Sequence, residues 1–329
     1  MNILFRYGEF HNLTFALPPA PYINFWYPNL FSASSVNGFS EQQNKTFNIM
    51  CHHMRFRYTE VEKVMSNDTF YFTVLRNPVT QMESSFSYFK GFSTFRKCKS
   101  LEDFLENADE YYDANRTGSY FAKNCQTFDL GFNHNGPNTT KNIELICEEV
   151  GKIFHLVLIA EYFDESLILL KEALCWSYED VLSFPLNKRS NTTKKALSLE
   201  RQEKIKHWNN LDWQLYSYFN RSFWKHVERF GQEQMDYEIQ KLQRKRDEMA
   251  KICLQDEVDP NQLQDKSLMP YQSGLARILG YNLKPDLPSR YKLLCQRLVT
   301  PELQYSYLLY NTIKEKAPTD VTITTKPEG

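Results

Sequence analysis

The sequence predicts an α/β protein whose central parallel sheet is flanked by helices and followed by a mainly helical C-terminal extension. Two apolar runs rich in β-formers, 70–75 and 154–160, have the composition of buried strands. Each gives way to helical spacing, and strands that alternate with helices argue for a doubly wound parallel sheet. From Leu197 to Cys253 the pattern is helical. At 329 residues, 42% hydrophobic and 24% charged, the chain can bury one large core. We expect an α/β domain over 1–232, a helical extension over 233–315 and a disordered tail over 316–329.

In chain order, 13–17 is a candidate strand stopped by Pro18 and Pro19. Residues 23–40 are aromatic, serine-bearing and irregular. The run 47–56 has the pattern of a strand, 59–65 that of a helical turn, and 70–75 that of a central parallel strand. Asn77 then caps a helix with Pro78 in its first turn. Val79, Met82, Phe86 and Phe89 recur at helical spacing and face the sheet. Residues 101–112 form an acidic helix, 132–140 a loop and 141–153 a helix. After the strand 154–160, Asp164 caps a helix with the stripe Leu167, Leu170 and Leu174. Gly231 breaks the helical region. The charged stretch 241–251 is a solvated helix face, and 317–329 lacks apolar periodicity.

The junction at 70–89 carries the chemistry. Arg76 sits at the carboxyl end of a strand, where open α/β sheets bind ligands. Ser84 lies between Met82 and Phe86 and points away from the apolar stripe. A permanently charged fork beside a free hydroxyl makes a phosphate clamp. The same pattern also fits a plain strand-to-helix turn with a surface arginine.

A second candidate is the pair His52 and His53, just upstream. Neighbours on a strand face opposite sides, so only one can enter a cleft. Imidazole is suited to taking a hydroxyl proton near neutral pH, although a hydrogen-bonded structural pair has the same signature. Glu60 and Glu83 are further acid or base candidates, with a solvated carboxylate the competing reading for each. Trp26, Tyr27, Trp208 and Trp213 could stack on a sugar ring, the last two being better placed for a core.

The segment 70–89 resembles the 3'-phosphate-binding motif of sulfotransferases that use 3'-phosphoadenosine 5'-phosphosulfate (PAPS). There an Arg ends a strand, and a Ser follows eight positions later. The wording LRNPV-x-Q-x-ESSFSY-x-K is closer still to the galactose 3-O-sulfotransferases, galactosylceramide sulfotransferase among them. NILFRYGE near the start, CHHMRF and IAEYFDESLILLKEALCW extend the resemblance over residues 2 to about 313.

The resemblance implies a P-loop-type sulfotransferase fold, with PAPS as sulfate donor and no metal. The acceptor is the 3-hydroxyl of a terminal β-galactose on a glycolipid or glycan. It assigns Arg76 and Ser84 to the 3'-phosphate. His53-Met54-Arg55-Phe56 is similar to a His-x-x-Phe element of related enzymes whose His is the base. That favours His53 as the catalytic residue, with His52 second. A basic loop over the cofactor is matched more loosely by Lys188 and Arg189, for which a plain surface loop is the competing reading. Arg55 could orient an acceptor or cofactor phosphate, with a plain surface arginine the competing reading there.

The family also places a Lys/Thr/Ser-rich loop for the 5'-phosphosulfate before its first helix, and upstream of that a Golgi membrane anchor. This sequence contains neither. The resemblance therefore implies an amino-terminally shortened chain that binds PAPS poorly and turns over little. Two alternatives stand beside it: an inactive relative acting as a luminal glycan-binding protein, and a uronyl 2-O-sulfotransferase.

Bulk properties fit a neutral acceptor. The net charge is −1 and the pI about 6.7, so no basic field attracts nucleic acid or polyanions. Seven cysteines include no CxxC pair, which argues against a zinc site. Sequons at Asn12, Asn44, Asn67, Asn115, Asn138, Asn191 and Asn220 point to a secretory lumen, where disulfides form. A phosphoryl-transfer enzyme would need a nucleotide loop and acidic Mg²⁺ ligands, and no such set is present.

Overall fold

The computed structural model describes residues 1–20, 23–43 and 45–316. The Asn44 sequon and residues 317–329 of the expected tail lie outside them. The fold is mixed α/β. At its centre, β1 (Phe72–Leu75) and β2 (Leu156–Ile159) run parallel, with Leu75 beside Ile159. β2 is buried along its length, whereas Val74 of β1 is 48% exposed.

The strand expected over 70–75 is thus shorter and more open than its composition implies, and pairing is the reason. The Tyr71 carbonyl accepts from the His155 N–H, so Tyr71, Thr73 and Leu75 turn their backbone groups towards β2. Phe72 and Val74 turn theirs to the opposite edge, which opens on a cleft of about 790 Å³. Upstream, the Tyr71 N–H is taken by the imidazole Nδ1 of His155, which ends the ladder.

On the far wall of the cleft the chain over 47–56 is extended, yet only single parallel bridges tie it down. Phe15 pairs with Ile49, Asn24 with His53 and Leu30 with Arg55. The strands expected over 13–17 and 47–56 are therefore isolated pairings. Pro18 and Pro19 stop the first partner after Leu17, and the later partners come from irregular chain.

The helix Pro78–Tyr88 follows β1 and buries Val79, Met82 and Phe86, with Phe89 half-buried, but the stripe packs on Leu101, Phe104 and Ile205 of neighbouring helices rather than on the sheet. The helix Phe163–Ala173 follows β2 and buries Leu167 and Leu170. Asp164 is not its cap. The helix begins at Phe163, and the Asp164 carboxylate pairs with Arg246 of the helix Gln232–Cys253. The acidic helix of 101–112 is two, Leu101–Glu106 and Ala108–Tyr111, because the Asn107 amide folds back onto Asp103 between them. Gly231, at φ +97°, separates Asn210–Phe230 from Gln232–Cys253.

The C-terminal region is not helical throughout. β3 (Leu254–Val258) and β4 (Gly280–Leu283) form an antiparallel hairpin, and a disulfide joins Cys253 to Cys295 in the helix Ser289–Val299. This region closes on the helix Asn2–Phe10. Glu9 accepts from Arg297 at 2.8 to 3.1 Å, Asn2 donates to the Arg297 and Thr300 carbonyls, and Phe5 packs on Tyr305. Among the described residues, no helix is long and apolar enough to cross a membrane.

Candidate functional site

Leu75 and Ile159 end side by side, so the residues that follow them meet at the carboxyl edge of the sheet. Arg76 follows β1 and Glu161 follows β2. The Asn77 N–H donates to Glu161 Oε1 at 2.9 Å, which joins the two strand ends. The Arg76 main chain is clamped at both polar groups by one side chain. Its N–H donates to Gln126 Oε1 at 2.6 Å, and Gln126 Nε2 donates to its carbonyl at 2.9 Å. Gln126 is itself anchored, since its N–H and that of Thr127 donate to the buried carboxylate of Asp212. Burial pushes Asp212 upward in pKa, and the Thr127 and Gln126 donors oppose that push.

The Arg76 guanidinium lies along the Pro78–Tyr88 helix, where Nε donates to Thr80 Oγ1 at 3.1 Å. Ser84 is one turn beyond Thr80 on the same face, and is half-buried. Arg189 comes to this face from a late loop. It is 9% exposed and pairs with Glu83, whose other oxygen accepts from the Lys195 N–H. Its second amino group, Nη1, is buried with no partner among the described residues. Desolvation lowers the pKa of Arg76; Glu161 opposes that effect and the like charge of Arg189 adds to it. Two guanidiniums thus lie close enough to feel each other's charge, with Glu161 and Glu83 as the carboxylates that offset them.

Lys188 does not join them. Its ammonium pairs with Glu257 of β3 at 2.7 Å. Glu83 departs from the solvated carboxylate its sequence context implies, because Arg189 draws it into a shielded pair. Glu60 is held by the Ala33 N–H and by Lys63.

On the opposite wall the two histidines diverge. His52 is 3% exposed, set against Phe5 and Phe25, with Nε2 3.0 Å from Ser306 Oγ. Burial holds its pKa down at about 4, so it is neutral. His53 stands open, with 61% of its side chain exposed, and its Nε2 is 3.1 Å from Glu302 Oε1. The hydrogen bond to Glu302 raises its pKa above the usual value. Nearby on the cleft wall, desolvation pushes Asp129 up to about 6, while Tyr27 donates to it at 2.8 Å and opposes that rise.

Arg55 is spent on structure. It donates to the carbonyls of Phe128 and Phe132 and covers the Phe128 ring. Trp208 and Trp213 pack on core clusters, whereas Trp26 is 46% exposed. Among the described residues, no cluster of His, Cys, Asp or Glu could hold a metal ion.

Sequence reasoning missed Thr80, Gln126, Glu161 and Glu302. Thr80 had a readable signal, four residues from both Arg76 and Ser84. The others reach the site from distant segments.

The galactose-3-O-sulfotransferase family profile matches residues 1–313. Galactose-3-O-sulfotransferase 2 of Sus scrofa is 46% identical, over 98% of this chain and 82% of its own length. Galactosylceramide sulfotransferase of Bos taurus is 42% identical, over 93% and 73%. Galactose-3-O-sulfotransferase 4 of Bos taurus is 35% identical, over 93% and 78%. No solved structure matches the chain.

Proposed function

The chain belongs to the galactose-3-O-sulfotransferase family, and we propose that it moves sulfate from PAPS to the 3-hydroxyl of a terminal β-galactose. That it is a galactose sulfotransferase follows from the family. The donor, the acceptor linkage, the P-loop-type fold and the roles of individual residues are our reading.

One observation supports that reading: Arg76 and Arg189 converge beside Thr80 and Ser84 at the carboxyl edge of the sheet, and Arg189 Nη1 lies buried without a partner among the described residues. A buried N–H left unsatisfied costs roughly 1–3 kcal/mol, which an anionic oxygen would relieve. Arg76 and Ser84 hold the 3'-phosphate, and Arg189 completes the charge. PAPS supplies the activated sulfuryl group and a phosphate leaving group. Lys188, engaged by Glu257, stands outside this set.

His53 is the base. It is open to the cleft, whereas His52 is enclosed by aromatic rings. The acceptor hydroxyl gives its proton to the imidazole as its oxygen bonds to sulfur. The bond from sulfur to the phosphate oxygen breaks, and the electron pair leaves with the phosphate. Exposed sequons at Asn12, Asn67, Asn115, Asn138 and Asn191, with the Cys253–Cys295 disulfide, support a Golgi lumen as the setting. Asn220 is an exception, half-buried within a helix.

A labelled-sulfate transfer assay with β-galactosyl lipid and β-galactosyl oligosaccharide acceptors tests this. Sulfate on galactose O3 is expected, at low turnover for the chain as it stands and higher turnover when the family's 5'-phosphosulfate loop is supplied ahead of Asn2. Sulfate confined to another hydroxyl, or to a uronic acid, would overturn the acceptor assignment. Glycan binding with no transfer would favour the non-catalytic alternative.

A further inference from the structure

Two adjacent histidines are gripped by one face of one distant helix. In the helix Glu302–Lys316, Glu302 meets His53 Nε2 at 3.1 Å and Ser306, one turn on, meets His52 Nε2 at 3.0 Å. The helix is seated by Tyr305, Leu309 and Tyr310, which pack with Phe5 and Phe15. Its first turn therefore reaches the cleft from a fixed base. Burial raises Glu302, but the hydrogen bond and charge of His53 outweigh it and leave the carboxyl below its ordinary pKa. Glu302 thus stays an anion beside the imidazole.

We infer that Glu302 is a positioning residue for sulfate transfer: its carboxylate fixes the His53 proton on Nε2 and leaves Nδ1 as the atom that takes the acceptor proton. This rests on the reading of His53 as the base. The logic is that of any base oriented by a third group. The carboxylate selects the tautomer, and it stabilises the imidazolium formed when the acceptor O–H bond breaks and the O–S bond forms. Other charges face His53 as well. Asp129 favours its protonation more weakly than Glu302, and the Met1 amino group opposes it. Its neighbour His52 is neutral.

The test is a ¹⁵N NMR titration of the imidazoles in wild type, Glu302→Gln and Glu302→Asp, paired with pH profiles of sulfate transfer. In Glu302→Gln we expect the His53 midpoint to fall and the Nε2–H tautomer to lose its dominance. The acid limb of kcat should then move to lower pH. Its plateau should drop by about 100-fold, the low end of a general base's contribution, with the acceptor KM little changed. Glu302→Asp should restore part of each effect. An unchanged tautomer, midpoint and plateau in Glu302→Gln would overturn the inference. His53→Ala separates the two levels. Full activity there removes the base reading itself. An inactive His53→Ala beside a normal Glu302→Gln removes only the role of Glu302.

Discussion

Arg189 and Glu83 show how one shielded pair joins structure to site. Both are largely removed from water, so breaking the pair strands a charge, whereas removing both partners does not. Glu83→Ala should cost about 3 kcal/mol in urea unfolding, and Glu83→Leu combined with Arg189→Met should recover most of it. If the double variant is as unstable as the single, the pair is not the source. His52 sets a pH limit. Its folded pKa of about 4 lies below the unfolded value of about 6.5, so the native state binds fewer protons. Stability is therefore lost as pH falls from about 6.5 to 4, by about 3 kcal/mol. In His52→Gln that part of the acid sensitivity should vanish, and equal slopes in the two proteins would contradict the assignment.

The strand-to-helix junction is the element on which the site is built. Asn77 Oδ1 accepts from the Val79 N–H at 2.9 Å, and Pro78 begins the helix. Asn77→Ala should cost about 1 kcal/mol of stability and loosen the nucleotide, because Arg76 is its direct neighbour. Unchanged affinity would show that the cap does not position the arginine.

This junction was legible in the sequence because its signals are local: an apolar run, a cap, a proline and a helical stripe. The extent of β1 was not. Phe70 and Tyr71 have strand composition, but His155, far along the chain, takes the Tyr71 N–H with its side chain. Asp164 failed as a cap for the same kind of reason, since Arg246 competes for it from another helix. Local pattern gives the kind of element, and non-local partners decide where it stops.

At the scale of the whole molecule, the two ends of the described chain are locked together. Glu9 and Arg297 pair across the fold, and Phe5 packs against Tyr305. This clamp seats the Glu302 helix below His53, so the histidine wall depends on the last helix. The arginine wall depends on Gln126 and Asp212. No spacing in the sequence could announce either dependence, because each joins segments that meet only on folding. Arg76, Ser84 and His53 were visible as candidates, whereas the groups that hold Arg76 and His53 in place were not.

The central claim is that Arg76 and Ser84, with Arg189 completing the charge, hold a 3'-phosphate. Calorimetric binding of 3'-phosphoadenosine 5'-phosphate, compared with adenosine 5'-phosphate, tests it most directly in wild type and Arg76→Ala. The account predicts that wild type prefers the 3'-phosphorylated nucleotide. Arg76→Ala should lose about 1.5–3 kcal/mol of that binding, as for a charged hydrogen bond, and most of the preference. A variant that keeps the full preference would contradict it.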